Sequence, residues 1–283
     1  MTSSIFDERV CALGEGPLWH PQRKQLFWFD ILGNVLHTQN NKGPMRWHFG
    51  ENVSAAGWVD MDTLLVASET ALIRFDINTG KSDHMVSLEA HNPITRSNDG
   101  RADPWGGFWI GTMGKNAEEG AGAIYRYYRG TLRTLYSPLT IPNAICFAPD
   151  QSVAYFADTM IGKVWRQKLD AIDGWPQGEP EVFLDFSGTD TNPDGAVCDS
   201  EGYLWNAHWG LGRVVRYNQN GEAVQEIQLP SPKTTCPAFG GDDLQTMYIT
   251  TAAIELDGHK HAGKTYEVAT NIKGQAEPSV ILV

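Results

Sequence analysis

The chain has 283 residues, with 22 Lys+Arg against 34 Asp+Glu and a formal net charge of −12. Hydrophobic residues at 41% and charged residues at 20% describe a globular protein with a large core and exclude a disordered chain. The negative balance excludes nucleic acid as the main partner, because a phosphate backbone repels such a surface, and no run of 18 apolar residues marks a membrane span.

The opening stretch from Met1 to Val10 has no basic end followed by an apolar run, so no secretory leader is expected. Next comes a short strand, Gly14–Trp19, a turn at 20–24, an apolar strand Gln25–Asp30, a second turn and a third strand Asn34–Thr38. The same pattern returns as Ala55–Val59, Thr63–Ala67 and Ala71–Asp76, and again as Asn98–Ala102, Gly107–Gly111 and Gly122–Tyr127. It continues as Asn143–Phe147, Val153–Asp158 and Lys163–Arg166, then as Asp194–Cys198, Tyr203–Ala207 and Gly212–Tyr217. The last round is Cys236–Phe239, Thr246–Thr250 and Lys264–Val268, and fourth strands are expected at His84–Leu88, Leu132–Tyr136, Glu181–Leu184 and Ala223–Leu229.

Six units of about 47 residues match the blades of a propeller. The expected fold is therefore all-β, one six-bladed β-propeller domain over 1–283, with a β-sandwich as the weaker alternative. Many glycines (29) and aromatics (11%) fit tight turns and strand cores. An open ring must hide its edges, and Phe6 to Ala12 is expected to add an outer strand to the last blade. Cys11, Cys146, Cys198 and Cys236 lie far apart with no CxxC spacing, which reads as buried free thiols in a reducing, cytoplasmic setting.

In a propeller the first strand of each blade lines the central channel. Glu15, Asn98, Asn143 and Asp194 each begin such a strand, 11 to 13 residues before the second-strand aromatics Trp28, Trp109, Tyr155 and Trp205. They are expected to converge at one mouth of the channel. Two carboxylates and two amide oxygens meeting there call for a cation. Oxygen donors favour calcium, magnesium or manganese, with iron(II) or zinc also compatible, although the Cys/His pattern of structural zinc is missing. Taken singly, Asn98-Asp99-Gly100 and Asp194-Gly195 also read as ordinary turns. Asp99 and Asp103 read as turn residues. Arg96 has a competing reading as an ion-pair partner of Asp99 or Asp103. Trp105, Trp109, Trp205 and Trp209 fit either sugar stacking or blade core. His48, His84, His91, His208, His259 and His261 lack metal-ligand spacing and read as surface or packing residues, and no Gly-x-Ser-x-Gly elbow is present.

At these residues the chain resembles the SMP-30/gluconolactonase/luciferin-regenerating-enzyme family. The matching stretches are Leu13–Trp19, Arg96–Gly100 with Gly111–Met113, Pro142-Asn143, Asn192–Gly195 with Glu201–Trp205, and Phe239–Gly241 ahead of Met247–Thr251. They run in the family's order from about residue 11 to 253. The resemblance implies a six-bladed propeller with one divalent metal on its axis. It implies Glu15, Asn143 and Asp194 as metal ligands, Arg96 and Asn98 as substrate contacts, and Asp194 also as general base. The implied substrate is a small sugar-acid lactone opened to the free acid. The chain departs from the family at Ser97, where Pro or an aromatic is frequent, and in the rim loop 114–121. A calcium-binding regulator without turnover, and a hydrolase of other esters, are the competing functions. A protein-interaction scaffold is disfavoured, since the Trp-Asp and Gly-His marks of WD40 repeats are missing.

Overall fold

The computed structural model describes residues 2–283. The described residues fold as a six-bladed β-propeller of 24 strands. It begins with β1 (Ser3–Asp7), and blade 1 follows as β2 (Gly14–His20), β3 (Gln25–Asp30), β4 (Val35–Asn40) and β5 (Gly43–His48). Blade 2 is β6 (Val53–Asp60), β7 (Thr63–Ser68), β8 (Ala71–Asp76) and β9 (Ser82–Ser87). Blade 3 is β10 (Thr95–Ala102), β11 (Phe108–Gly114), β12 (Gly122–Tyr128) and β13 (Thr131–Leu139). Blade 4 is β14 (Pro142–Phe147), β15 (Val153–Asp158), β16 (Lys163–Lys168) and β17 (Glu181–Asp185). Blade 5 is β18 (Asn192–Cys198), β19 (Leu204–Trp209), β20 (Arg213–Tyr217) and β21 (Ala223–Gln228). Blade 6 is β22 (Thr234–Gly240), β23 (Thr246–Thr251) and β24 (Thr265–Ala269), completed on its outside by β1.

The six inner strands stand against one another in a closed ring, β2, β6, β10, β14, β18, β22 and back to β2. The outer strand of blade 6 is Ser3–Asp7, not Phe6–Ala12. The reason is local: Asp7 accepts hydrogen bonds from the backbone N–H and Nε of Arg9, both at 2.9 Å, and this turn ends the strand. Strand β5 was not anticipated, because Pro44 and a mostly exposed pattern hide its alternation.

Each seam between neighbouring blades is filled by its own apolar cluster, such as Phe27 and Phe29 with Leu64 and Val66 between blades 1 and 2. Trp28, Trp109 and Trp205 are 0% exposed, so these three second-strand tryptophans are core. All four cysteines are buried and free, with the sulfurs of Cys146 and Cys198 3.7 Å apart.

Two buried ion pairs tie the first turn of blades 3 and 5 to their third strands. Asp103 accepts the N–H groups of Trp105 and Gly107 at 2.9 Å and pairs with Arg126 Nε at 2.7 Å. Asp199 accepts the N–H groups of Glu201 and Tyr203, the indole N–H of Trp205 at 2.9 Å, and Arg216 Nε at 2.8 Å. Removing the Asp199 carboxylate leaves the Arg216 guanidinium with only the exposed Glu201 as its ion-pair partner and the buried Trp205 indole N–H with none. Asp199→Ala should therefore lower the unfolding free energy by about 3–5 kcal/mol, read by urea denaturation.

Candidate functional site: the mouth of the channel

Every inner strand carries a β-bulge near its start. The register slips between Glu15 and Leu18 in β2, Val53 and Ala55 in β6, Ser97 and Gly100 in β10, Asn143 and Cys146 in β14, Pro193 and Ala196 in β18, and Thr234 and Pro237 in β22. A bulge adds a residue to one strand and re-aims side chains that regular alternation would send into the blade. Glycine makes the crowding possible at two of these places. Gly16 sits at φ +53°, and a Cβ on Gly195 would lie 2.4 Å from Cys236 Sγ.

The bulges bring polar side chains together. Arg96 Nη1 donates to Asn98 Oδ1 at 2.9 Å and to its neighbour Ser97 O at 2.8 Å. Asn98 Nδ2 donates to Asn143 Oδ1 at 2.9 Å and to Pro142 O at 3.0 Å. Asn143 Nδ2 donates to Thr159 Oγ1 at 2.8 Å, and that hydroxyl donates to Pro193 O at 2.6 Å. The chain of bonds orients the Asn143 amide, with its oxygen toward Asn98, and links blades 3, 4 and 5. Glu15 Oε2 accepts the N–H of Gly16 at 3.0 Å, and Asn206 Nδ2 donates to Asp194 O at 2.8 Å.

The electrostatics of the mouth follow from burial. Loss of water pushes the Glu15 carboxyl up to about 8, with the negative charge of Asp99 adding to the rise. Burial also raises Asp194 well above the usual carboxylate range, and the charges of Glu15 and Asp99 push it further. Burial alone raises Asp99, against the pull of the Ile145 N–H at 2.7 Å and of Arg101. Burial brings Arg96 down to about 10, while Glu15, Asp194 and Glu69 work to keep it charged. The mouth thus sets Glu15 and Asp194 near one guanidinium, with Asp99 adding negative charge from deeper in the channel, an arrangement short of positive charge.

Arg96 bonds neither Asp99 nor Asp103; the partner of Asp103 is Arg126. Trp105 donates its indole N–H to Ala171 O, away from the mouth, and Trp209 lies beside Lys233. His208 is packed in blade 5, where Arg213 Nε donates to its Nδ1 at 3.0 Å and burial brings it down to about 4. Ser97 is buried against Ser54, with 2.8 Å between the hydroxyls. Residues 115–121 join β11 to β12 at the mouth end of blade 3, where Lys115 pairs with Glu69 at 2.5 Å.

Other members of the site were not singled out from the sequence. Thr159 orients Asn143. Asp30 accepts the N–H groups of Ala12 and Leu13 just before Glu15, and Asp158 accepts those of Thr140 and Ile141 just before Asn143. An Asp closing the second strand in both blades 1 and 4 was the available signal. Among the described residues no group of three or more His, Cys, Asp or Glu is placed to hold a metal, so a cation site at the mouth would need the amide oxygens of asparagine.

A family model described as the SMP-30/gluconolactonase/LRE-like region matches residues 13–253, which includes every residue of the mouth. The chain is 32% identical over 276 residues to the 6-deoxy-6-sulfogluconolactonase of Pseudomonas putida, covering 94% of each protein. It is 33% identical over 266 residues to a pentonolactonase of Haloferax volcanii, covering 93% of this chain and 89% of that one. The crystal structure of a calcium-binding protein, regucalcin, from Agrobacterium tumefaciens superposes with a TM-score of 0.97 at 38% identity, covering 99% of this chain and 98% of that one. The chain belongs to the SMP-30/gluconolactonase/LRE-like family.

Proposed function

We propose that this protein is a sugar lactonase that hydrolyses the lactone of a sugar acid at the channel mouth, with one divalent cation held by Glu15, Asn143 and Asp194. The observation that carries the reading is the excess of buried carboxylate at the mouth: Glu15 and Asp194 repel each other in a desolvated place with one guanidinium near them. Oxygen donors of this kind suit calcium, magnesium or manganese. The names of the lactonase relatives give the substrate class its support.

Bound there, a divalent cation supplies Lewis-acid polarisation of the lactone carbonyl. Asp194 takes a proton from the attacking water; burial, Glu15 and Asp99 oppose the ionised form that this role needs and Arg96 helps it only in part, so the charge of a bound dication would have to secure it. Asn206, holding the backbone carbonyl of Asp194, fixes where that carboxylate starts from. Arg96 and Asn98, bonded to one another, orient the ring hydroxyls of the substrate. Thr159 keeps the Asn143 amide from turning over. The water is added across the acyl carbon–oxygen bond, and the ring oxygen leaves as a hydroxyl of the free acid. A second reading, a calcium-binding protein without turnover, draws on the description of the Agrobacterium structure.

A panel of pentono- and hexonolactones, in 1,4 and 1,5 ring forms, assayed with and without EDTA separates the two readings. Turnover lost on chelation and restored by a divalent ion supports the lactonase, and cation binding with no turnover on any lactone rejects it. Asp194→Asn should reduce kcat by about 10²–10⁴, the span expected of a lost general base. Asn143→Ala should weaken cation binding, read by calorimetric titration.

The raised carboxyls also predict a pH dependence. Glu15 holds its proton more tightly in the folded protein, at about 8, than at its ordinary value of 4.5. Between these values the native state carries more protons than the unfolded one, so stability falls as pH rises. The melting temperature of cation-free protein should decline from pH 5 toward pH 8 (about the window of that shift). Glu15→Gln should flatten the slope, and saturating divalent cation should abolish it.

A further inference from the structure

We infer that Arg101 is a positioning residue for the mouth, held in place by Glu277 of the C-terminal segment. The inference rests on the reading above, that Asn143 and Asp194 hold a divalent cation. It starts from hydrogen bonds that cross the channel beneath those two residues.

Arg101 belongs to β10, the strand that also carries Arg96, Asn98 and Asp99. Its Nε donates to Ile145 O at 3.2 Å, and its Nη2 donates to Ala196 O at 3.2 Å. Ile145 follows Asn143 by two residues in β14, and Ala196 follows Asp194 by two residues in β18. Asp99 accepts the N–H of the same Ile145 at 2.7 Å. Blade 3 therefore grips both polar groups of one residue in blade 4 and a carbonyl in blade 5, directly behind the candidate ligands. The grip falls where the blades' own ladders are broken. The register of β14 jumps from Asn143 to Cys146 and that of β18 from Pro193 to Ala196, so Ile145 is skipped by its own sheet. A buried backbone group left out of a ladder needs another partner, and here the partners are Asp99 and Arg101.

The third side of the guanidinium pairs with Glu277 through Nη1 and Oε1, both side chains being about nine-tenths buried. Glu277 lies in a segment, residues 270–283, that crosses the end of the channel opposite the mouth. Its backbone and side chains are anchored separately from that ion pair. Lys273 O accepts Ser200 N at 2.9 Å, Gln275 Nε2 donates to Phe147 O at 2.7 Å, Glu277 O accepts Trp58 Nε1 at 2.8 Å, and Val280 N donates to Trp58 O at 2.8 Å. Removing the charge of Glu277 while keeping its shape thus leaves the segment docked and frees one side of Arg101. An arginine has donors enough to serve two carbonyls and a carboxylate at once; a lysine does not hold the same fork.

Three variants test this: Glu277→Gln, Arg101→Met and Arg101→Lys. The readouts are Mn²⁺ affinity by calorimetry, melting temperature, and hydrogen exchange of peptides covering 142–147, 192–198 and, as a control in blade 2, 63–68. Expected for Glu277→Gln and Arg101→Met is about ten-fold weaker Mn²⁺ binding, the loss typical of a removed support behind metal ligands, with Arg101→Lys in between. Exchange should rise in 142–147 and 192–198 of the cation-free protein and stay level in 63–68. Should Arg101→Met fail to fold, Glu277→Gln alone decides. A lowered melting temperature with unchanged Mn²⁺ affinity and unchanged exchange in both segments would overturn the inference, since a role in stability alone predicts that result. If the unaltered protein binds no Mn²⁺, the cation reading fails by itself, and exchange in the two segments then decides for or against the grip of Arg101.

Discussion

A carboxylate taken out of water must find positive charge, bind a proton or shift the balance of the fold. That constraint governs this molecule from the mouth of the channel to its far end. At the mouth, Glu15 is raised by burial and by Asp99, Asp194 by burial, Glu15 and Asp99, and Arg96 works against both shifts. Deeper down, Asp99 faces Arg101, and Arg101 in turn faces Glu277. Along the outside of the channel, Asp103 and Asp199 are matched one for one by Arg126 and Arg216. Asp103, Asp199 and Glu277 each pair directly with an arginine, whereas among the described residues no ion pair reaches Glu15 or Asp194 at the mouth. The candidate site is the place of that shortage.

The second constraint is geometric. A strand in a blade sends alternate side chains to its two faces, and regular alternation would not turn Asn98, Asp194 and their counterparts all inward. The bulges resolve this at the cost of leaving backbone groups unpaired. Ile145, skipped by its ladder, is recovered by Asp99 and Arg101 of the preceding blade, and beside the bulges Thr159 bonds Pro193 O and Asn98 bonds Pro142 O across the same seams. The network that shapes the site is therefore the same one that repairs the ladders, and it runs between blades, not within them.

This explains what could be read in the sequence. The blades were legible because each repeats an apolar second strand ending in turn residues, and aromatics such as Trp109 and Trp205 at the centre of that strand fill the seam to the next blade. Glu15, Asn98, Asn143 and Asp194 were legible from their shared offset. Strand β5 escaped because an edge strand with Pro44 has no buried face to print an alternation. The outer strand was displaced because Asp7 and Arg9 form a turn that leaves no mark in hydrophobicity. Thr159, Arg101 and Glu277 escaped for a deeper reason. Their partners are backbone atoms or charges on other blades, and no spacing along one strand encodes a neighbour across the channel.

The candidate ligands come from blades 1, 4 and 5, while the strand that completes blade 6 is the first one in the chain. An arc of four consecutive blades read from the N-terminus lacks Asp194, and any arc that begins at blade 2 lacks Glu15. No contiguous part of the polypeptide short of five blades contains all three. Blade 6 is complete only when β1 pairs with β24, and the ring closes where β22 packs against β2. The three candidate ligands thus belong to the closed circle as a whole, and an ion bound by them would act as a clasp that stabilises the finished ring over any of its arcs.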